Sequence, residues 1–260
     1  MKKKILLQIL LAICILAVLA FATMIIRELY IDEQSRTFYD NIANETKTRP
    51  SGANNIGTDG RTDEDVYSWI PYVDFEALSS RYPGIVGWIK LEGTPINYPV
   101  MQYSNNDHFL TRLPDGTSHR SGSIFLDYRN KSDFSDKSIL IYGHESRTNE
   151  MFATLKSYRN QEFYNENPII HLYTPENDYE IIIFAGHLAH SQRDHPPMHF
   201  EDDEEFLTYI NYIKSISLLS SDVEVSADDS IVNLCTCAYD FDEARLVLVG
   251  KKVLITPSEN

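Results

Sequence analysis

Cysteine is the first scarcity. The chain has three, Cys14, Cys235 and Cys237, and Cys14 lies inside an apolar N-terminal run. A disulfide framework is therefore excluded for everything downstream. Cys235 and Cys237 are also poorly placed to bridge each other, because i and i+2 residues of an extended segment have Cα atoms about 6.5–7 Å apart. Basic residues are the second scarcity: 23 Lys and Arg stand against 38 Asp and Glu, a net charge of −15. That balance excludes a nucleic-acid partner, whose phosphates need a basic surface. It suits a basic or amine-bearing partner, or simply solubility. Familiar motifs are the third absence. There is no G-x-S-x-G elbow, P-loop, dinucleotide fingerprint, H-E-x-x-H or internal repeat, so no cofactor and no metal is expected.

Long apolar runs are also rare, with one exception. Ile5 to Ile26 carries no charge, and Lys2, Lys3 and Lys4 precede it. A helix of that length crosses a bilayer core of roughly 30 Å, and the lysines hold the short side in the cytoplasm. A cleavable signal peptide competes with this reading, since Ala20-Phe21-Ala22 resembles a processing site. The run is longer than an h-region of about 7–15 residues, which favours an uncleaved signal anchor. The expected organisation is a cytoplasmic basic stub (1–4), a transmembrane anchor (5–26), a juxtamembrane helix and flexible linker (27–65) and one extracytoplasmic domain (66–260). The linker rests on Asn44 to Asp65, rich in Gly, Asn, Thr and charge and nearly free of apolar residues.

The domain begins with a short helix capped by Asp74 and closed by Pro83. Short β-rich segments follow at Ile85–Leu91, Pro95–Val100, Gly122–Asp127, Ser138–Tyr142, Ile169–Tyr173, Tyr179–Ala185, Asp222–Ser226, Ile231–Thr236 and Leu246–Ile255, separated by Gly, Pro, Asn and Asp. Helices are expected over Asn105–Arg112, Asn149–Tyr158 and Glu204–Leu218. The last has Phe206, Leu207, Ile210, Ile213 and Ile216 on one face. Many short strands and few helices argue for a small closed or nearly closed β-barrel.

Chemistry gathers near the C-terminus. Ser230-Ile-Val-Asn-Leu-Cys-Thr-Cys237 reads as an apolar strand ending in a thiol, and Arg245 follows it. A nearby cation lowers a thiol pKa, and the thiolate is the nucleophile. The guanidinium is permanently charged and rich in donors, so it can hold an oxyanion. Inert packing is the competing account of a strand cysteine. His144 follows the strand Ser138–Tyr142 and Gly143, well placed to exchange a proton, although a loop histidine would look the same. His187, His190, His195 and His199 read as a solvated loop rather than a metal site, given Pro196-Pro197 among them. Asp240 and Asp242 could orient Arg245 or His144, or be plain loop residues.

Together, Ile85-Val-Gly-Trp-Ile89, Tyr98-Pro-Val-Met-Gln102, Gly122-Ser-Ile-Phe-Leu-Asp127, Tyr142-Gly-His144 with Met151-Phe152, and Leu234-Cys-Thr-Cys237 with Ala244-Arg245 resemble a class B sortase from about Asp74 to Lys252. The resemblance implies a mainly β fold, a sortase-like closed barrel of about eight strands with short flanking helices and one inserted helix. It maps the family's nucleophile onto Cys237, its histidine onto His144 and its arginine onto Arg245, and it implies substrate contacts at Cys235 and Thr236. The implied activity is transpeptidation through a thioacyl enzyme. The implied partners are C-terminal sorting signals of secreted proteins, cleaved after threonine, and a peptidoglycan amine. Two positions depart from the family's TLxTC pattern. Asn233 replaces its first threonine, and Cys235 stands where class B commonly has serine. On one strand face with Cys237, Cys235 should line the same groove. There it would alter affinity, add redox sensitivity or act as a tolerated isostere.

Overall fold

A computed structural model describes residues 2–45, 73–146, 148–190, 194–237 and 243–255, with positions 2, 45 and 237 as backbone only. Two compact units result, 1–41 and 42–260. The first is most of one continuous helix, α1 (Lys2–Glu45). Within it lies the one span among the described residues that is long and apolar enough to cross a membrane. The linker expected over 44–65 lies, beyond Glu45, outside the described residues, as do Asp240 and Asp242.

The second unit is built on eight strands: β1 (Ile85–Lys90), β2 (Asn97–Met101), β3 (Ile124–Leu126), β4 (Ser138–Tyr142), β5 (Ile169–Tyr173), β6 (Asp178–His190), β7 (Ser230–Cys237) and β8 (Ala244–Leu254). They close in the order β1-β2-β3-β4-β7-β8-β6-β5, the closed barrel expected. Closure gives each strand a neighbour on both sides. Two neighbouring pairs are parallel, β2 with β3 and β4 with β7. Helix α2 (Phe75–Arg81) begins where the Asp74 carboxylate accepts the Ala77 N–H at 2.9 Å. A 3-10 helix (Ala153–Arg159) and α3 (Gln161–Glu166) join β4 to β5.

Helix α4 (Asp203–Ser215) is the inserted helix, between β6 and β7. Asp202 caps it by accepting the Glu205 N–H at 2.8 Å, and Asp203, Glu204 and Glu205 complement its dipole. Its stripe of Phe206, Ile210 and Ile213 packs on the outer barrel face formed by Leu140, Ile231, Cys235, Val247, Val249, Ala185 and Ala189. Two-sided cover explains why Ile139, Leu140 and Ile141 of β4 are all fully buried, with no polar alternation.

Four elements differ from expectation. Asn105–Arg112 forms turns, because the Asn105 side chain accepts the N–H groups of Asp107 and His108 and substitutes for helical bonds. The helix after Asn149 begins only at Ala153, since Asn149 and Met151 hold positive φ (62° and 54°). Asp222–Ser226 is irregular rather than a strand. β6 continues past Ala185 to His190, paired throughout with β8 across a bulge between Ile183 and Ala185. His187 and His190 are therefore strand residues, not parts of a solvated loop.

Candidate active site

Three adjacent strands bring the predicted reactive positions to one end of the barrel. The parallel β4–β7 ladder runs from Ser138↔Ile231 to Tyr142↔Cys235, and the Gly143 N–H then donates to the Cys235 carbonyl at 3.0 Å. Two residues further along each chain come His144 and Cys237. On the other side of β7, Cys237 pairs with Arg245, the second residue of β8. Directly opposed residues of an antiparallel pair have Cα atoms about 4.5–5.5 Å apart and share a face. Beyond Arg245 comes Ala189 of β6. Cys237 therefore pairs with Arg245 and Arg245 with Ala189, His144 follows two positions beyond the end of β4, and the ladder row beneath reads Tyr142, Cys235, Val247, His187.

Local packing explains how His144 is presented. A Cβ on Gly143 would lie 2.4 Å from Ile124 Cδ1 and 2.6 Å from the buried Phe152 ring. Glycine lets the chain pass close against that ring on its way to His144. The His144 carbonyl accepts the Phe152 N–H at 3.0 Å. On the half-buried imidazole, Nε2 lies 2.6 Å from the Leu110 carbonyl. A carbonyl only accepts, so Nε2 carries a proton here. The Arg245 side chain is half-buried, with Nη1 donating to the Ala244 carbonyl at 3.0 Å.

A scan of the chain against family profiles finds no match. Individual relatives are clear. The chain is 34% identical over 184 residues to sortase B of Staphylococcus aureus, covering 70% of this chain and 75% of that protein. With sortase B of Listeria monocytogenes it shares 31% identity over 228 residues, covering 87% and 88%. The chain belongs to the class B sortases. Among solved structures, a Staphylococcus aureus sortase B–substrate complex superposes with a TM-score of 0.74 at 30% identity, covering 86% of this chain and 99% of that one. A sortase B-like protein of Bacillus anthracis gives 0.72 at 28% identity, covering 86% and 98%. This sortase is accordingly a cysteine transpeptidase, and its fold is that of its class.

Within this sortase the remaining predicted residues divide by face. Cys235 shares the row of Tyr142 and is 6% exposed, packed in the layer beneath α4. Thr236 alternates to the other face, 2% exposed, and its Oγ1 has no hydrogen-bond partner among the described residues. Asn233, the departure from the family pattern, is fully buried. Its Nδ2 donates to Ser138 Oγ and to the Ile139 carbonyl, both at 3.1 Å, cross-linking β7 to β4. No group of three or more His, Cys, Asp or Glu suited to a metal occurs among the described residues.

One supporting residue escaped the sequence reading. Asp127, fully buried after β3, accepts two bonds from the Arg129 guanidinium (both 2.8 Å), one from Asn106 Nδ2 (3.0 Å) and one from the Tyr142 hydroxyl (3.2 Å). Burial pushes its pKa up, but the Arg129 and Asn106 bonds outweigh that and hold it below the usual carboxylate value. Burial and the Asp127 charge in turn push the Tyr142 hydroxyl well above its ordinary pKa. An Asp-x-Arg pair is too common for sequence to flag. Only the fold shows it holding the floor tyrosine.

Proposed function

We propose that this sortase anchors secreted proteins to the cell wall, with Cys237 as nucleophile, Arg245 as oxyanion holder and His144 as proton carrier. The observation that carries the reading is the pairing of Cys237 with Arg245 across β7 and β8, beside a β4–β7 ladder whose β4 strand ends two residues before His144, in a chain of sortase B lineage. The Cys237 thiolate attacks a threonine carbonyl in a C-terminal sorting signal, forming a C–S bond and a tetrahedral oxyanion. Arg245 donates to that oxyanion. As the intermediate collapses, the C–N bond breaks and His144 gives its proton to the departing amine, leaving a thioacyl enzyme. A peptidoglycan amine then attacks the thioester. Its proton passes to His144, the new amide forms and the thiolate is released. Cys235 lies beneath Cys237 and Arg245 as part of the groove floor. Thr236 contributes through its backbone, since its side chain faces the barrel interior.

Relatives support both half-reactions. A Staphylococcus aureus sortase B is solved as a substrate complex, and a sortase B is solved in complex with triglycine, which fits a peptide donor and an amine acceptor here. The apolar span supports a membrane anchor. Lys2, Lys3 and Lys4 then face the cytoplasm, 5–26 spans, and 27–65 leads to a catalytic domain outside the cell.

The test uses the full chain in detergent micelles with quenched peptides ending in threonine-glycine or threonine-asparagine motifs, with and without an added amine. Cleavage is expected, faster with amine, abolished by Cys237→Ala and retained by Cys235→Ala. Arg245→Lys should lose most turnover, roughly 100-fold or more, because an ammonium lacks the planar fork. A dead Cys235→Ala beside a live Cys237→Ala would overturn the nucleophile assignment. Cleavage indifferent to amine would point to hydrolysis instead.

A further inference from the structure

The strap between β2 and β3 hands one backbone carbonyl to His144. Along 108–112 every carbonyl has a partner. That of His108 accepts from Arg112 Nη1 at 3.3 Å, Phe109 from the Ser123 N–H at 2.9 Å, Thr111 from the His119 N–H at 3.0 Å and Arg112 from the Ser123 hydroxyl at 2.8 Å. The carbonyl left over, that of Leu110, lies 2.6 Å from His144 Nε2. Ser123 is fully buried, and its two donors grip the strap on either side of Leu110. Gly122 completes the arrangement. It holds a φ of 54°, and a Cβ there would lie 2.4 Å from the Leu110 oxygen, so any side chain would push that carbonyl off its place.

We propose that Ser123 is a positioning residue for the transfer reaction, fixing the Leu110 carbonyl so that it holds the His144 imidazole in one tautomer and one orientation. The inference rests on the reading of His144 as proton carrier. The terminal torsion of a histidine is broad and roughly two-fold, and the proton of a neutral ring can sit on either nitrogen. A carbonyl fixed at Nε2 decides both, because it accepts only from a protonated nitrogen. A carbonyl on a loose strap would decide neither. Phe109 and Leu113 are buried and anchor the strap, whereas the Leu110 side chain between them is exposed. The Leu110 carbonyl is therefore held by the backbone clamp at Ser123 and not by burial of its own side chain. Removing the Ser123 hydroxyl takes that bond from the Arg112 carbonyl and frees the strap to shift.

The experiment reads His144 directly, by nuclear magnetic resonance of isotopically labelled histidine rings in the full chain in micelles. It is run at about pH 9, above the ordinary histidine value of about 6.5, and His144→Asn identifies the signal. Wild-type protein should show one neutral tautomer, protonated at Nε2. Ser123→Ala should show a mixture of both tautomers. In peptide cleavage it should lose about five- to tenfold in kcat with KM within about twofold of wild type, as expected of a displaced proton carrier and not of lost binding. Gly122→Ala, which moves the carbonyl and keeps the serine, should mix the tautomers too. Thermal melts establish that each variant is folded, and Gly122→Ala alone decides the matter if Ser123→Ala is not. A single Nε2-protonated signal in the folded variants overturns the inference, as does a wild-type ring protonated at Nδ1 or a loss carried by KM. Cleavage of no peptide by wild type is a distinct result: it overturns the transpeptidase reading and the part of Ser123 in it, whatever the tautomer signals show.

Discussion

At the scale of single residues, Asp127 shows how a buried charge shapes the site from behind. Its four side-chain bonds fix Tyr142, the first residue of the row that also holds Cys235. Because its pKa is depressed in the folded chain, the unfolded chain binds the proton more readily. The stabilisation is therefore complete above the unfolded value near 3.8 and is lost as pH falls through the folded value. Asp127→Asn should cost about 1.5–3 kcal/mol at neutral pH, the worth of bonds to a charged acceptor. Melting temperature followed from pH 7 down to pH 3 should fall more steeply for wild type than for the variant. Parallel curves would deny Asp127 this role. Nothing in Ile-Phe-Leu-Asp-Tyr-Arg marks the residue beforehand, since its partners Asn106 and Tyr142 are remote in sequence.

At the scale of elements, sequence was most informative where one face or one punctuation mark decided the outcome. β4, β7 and β8 are apolar runs bounded by polar turns, and α4 shows its stripe openly. The sortase-like segments lie on or beside β1, β2, β3, β4, β7 and β8, and the expectations for His144, Cys237 and Arg245 rest on the last three. Less legible were features set by distant partners. β6 outruns its apolar run because β8 pairs with it as far as Ala244, and that pairing draws His187 into the floor. The Asn105 turn depends on a side chain competing for N–H groups that a helix would have used. The β4-to-His144 junction gives an element-scale prediction. Gly143→Ala places a Cβ against Ile124 and the buried Phe152 ring, so the strand end must move. The expected loss is about 1–3 kcal/mol of stability, read as a lower melting temperature. A fall in kcat should exceed any rise in KM, since the displaced group is the proposed proton carrier rather than a binding contact. Normal kcat in a folded Gly143→Ala protein would show that the junction does not aim His144.

At the scale of the whole molecule, an acidic catalytic barrel shares a chain with a helix that carries a long uncharged stretch. The 44 residues of α1 extend about 66 Å at 1.5 Å per residue, twice the roughly 30 Å of a bilayer core. The apolar part, Ile5–Ile26, accounts for about half of that length. Its large apolar side chains are exposed from Ile5 through Ile26, as a lipid-facing surface requires, whereas Arg27 opens the charged half. Such a chain should float with phospholipid vesicles and resist extraction by alkaline carbonate, and deletion of residues 2–26 should release it. Orientation follows from Lys2, Lys3 and Lys4. Protease added to wall-stripped intact cells should digest the barrel while sparing a tag placed at the N-terminus. Digestion of the tag with a protected barrel would invert the topology and overturn the proposed access of Cys237 to secreted proteins and wall amines.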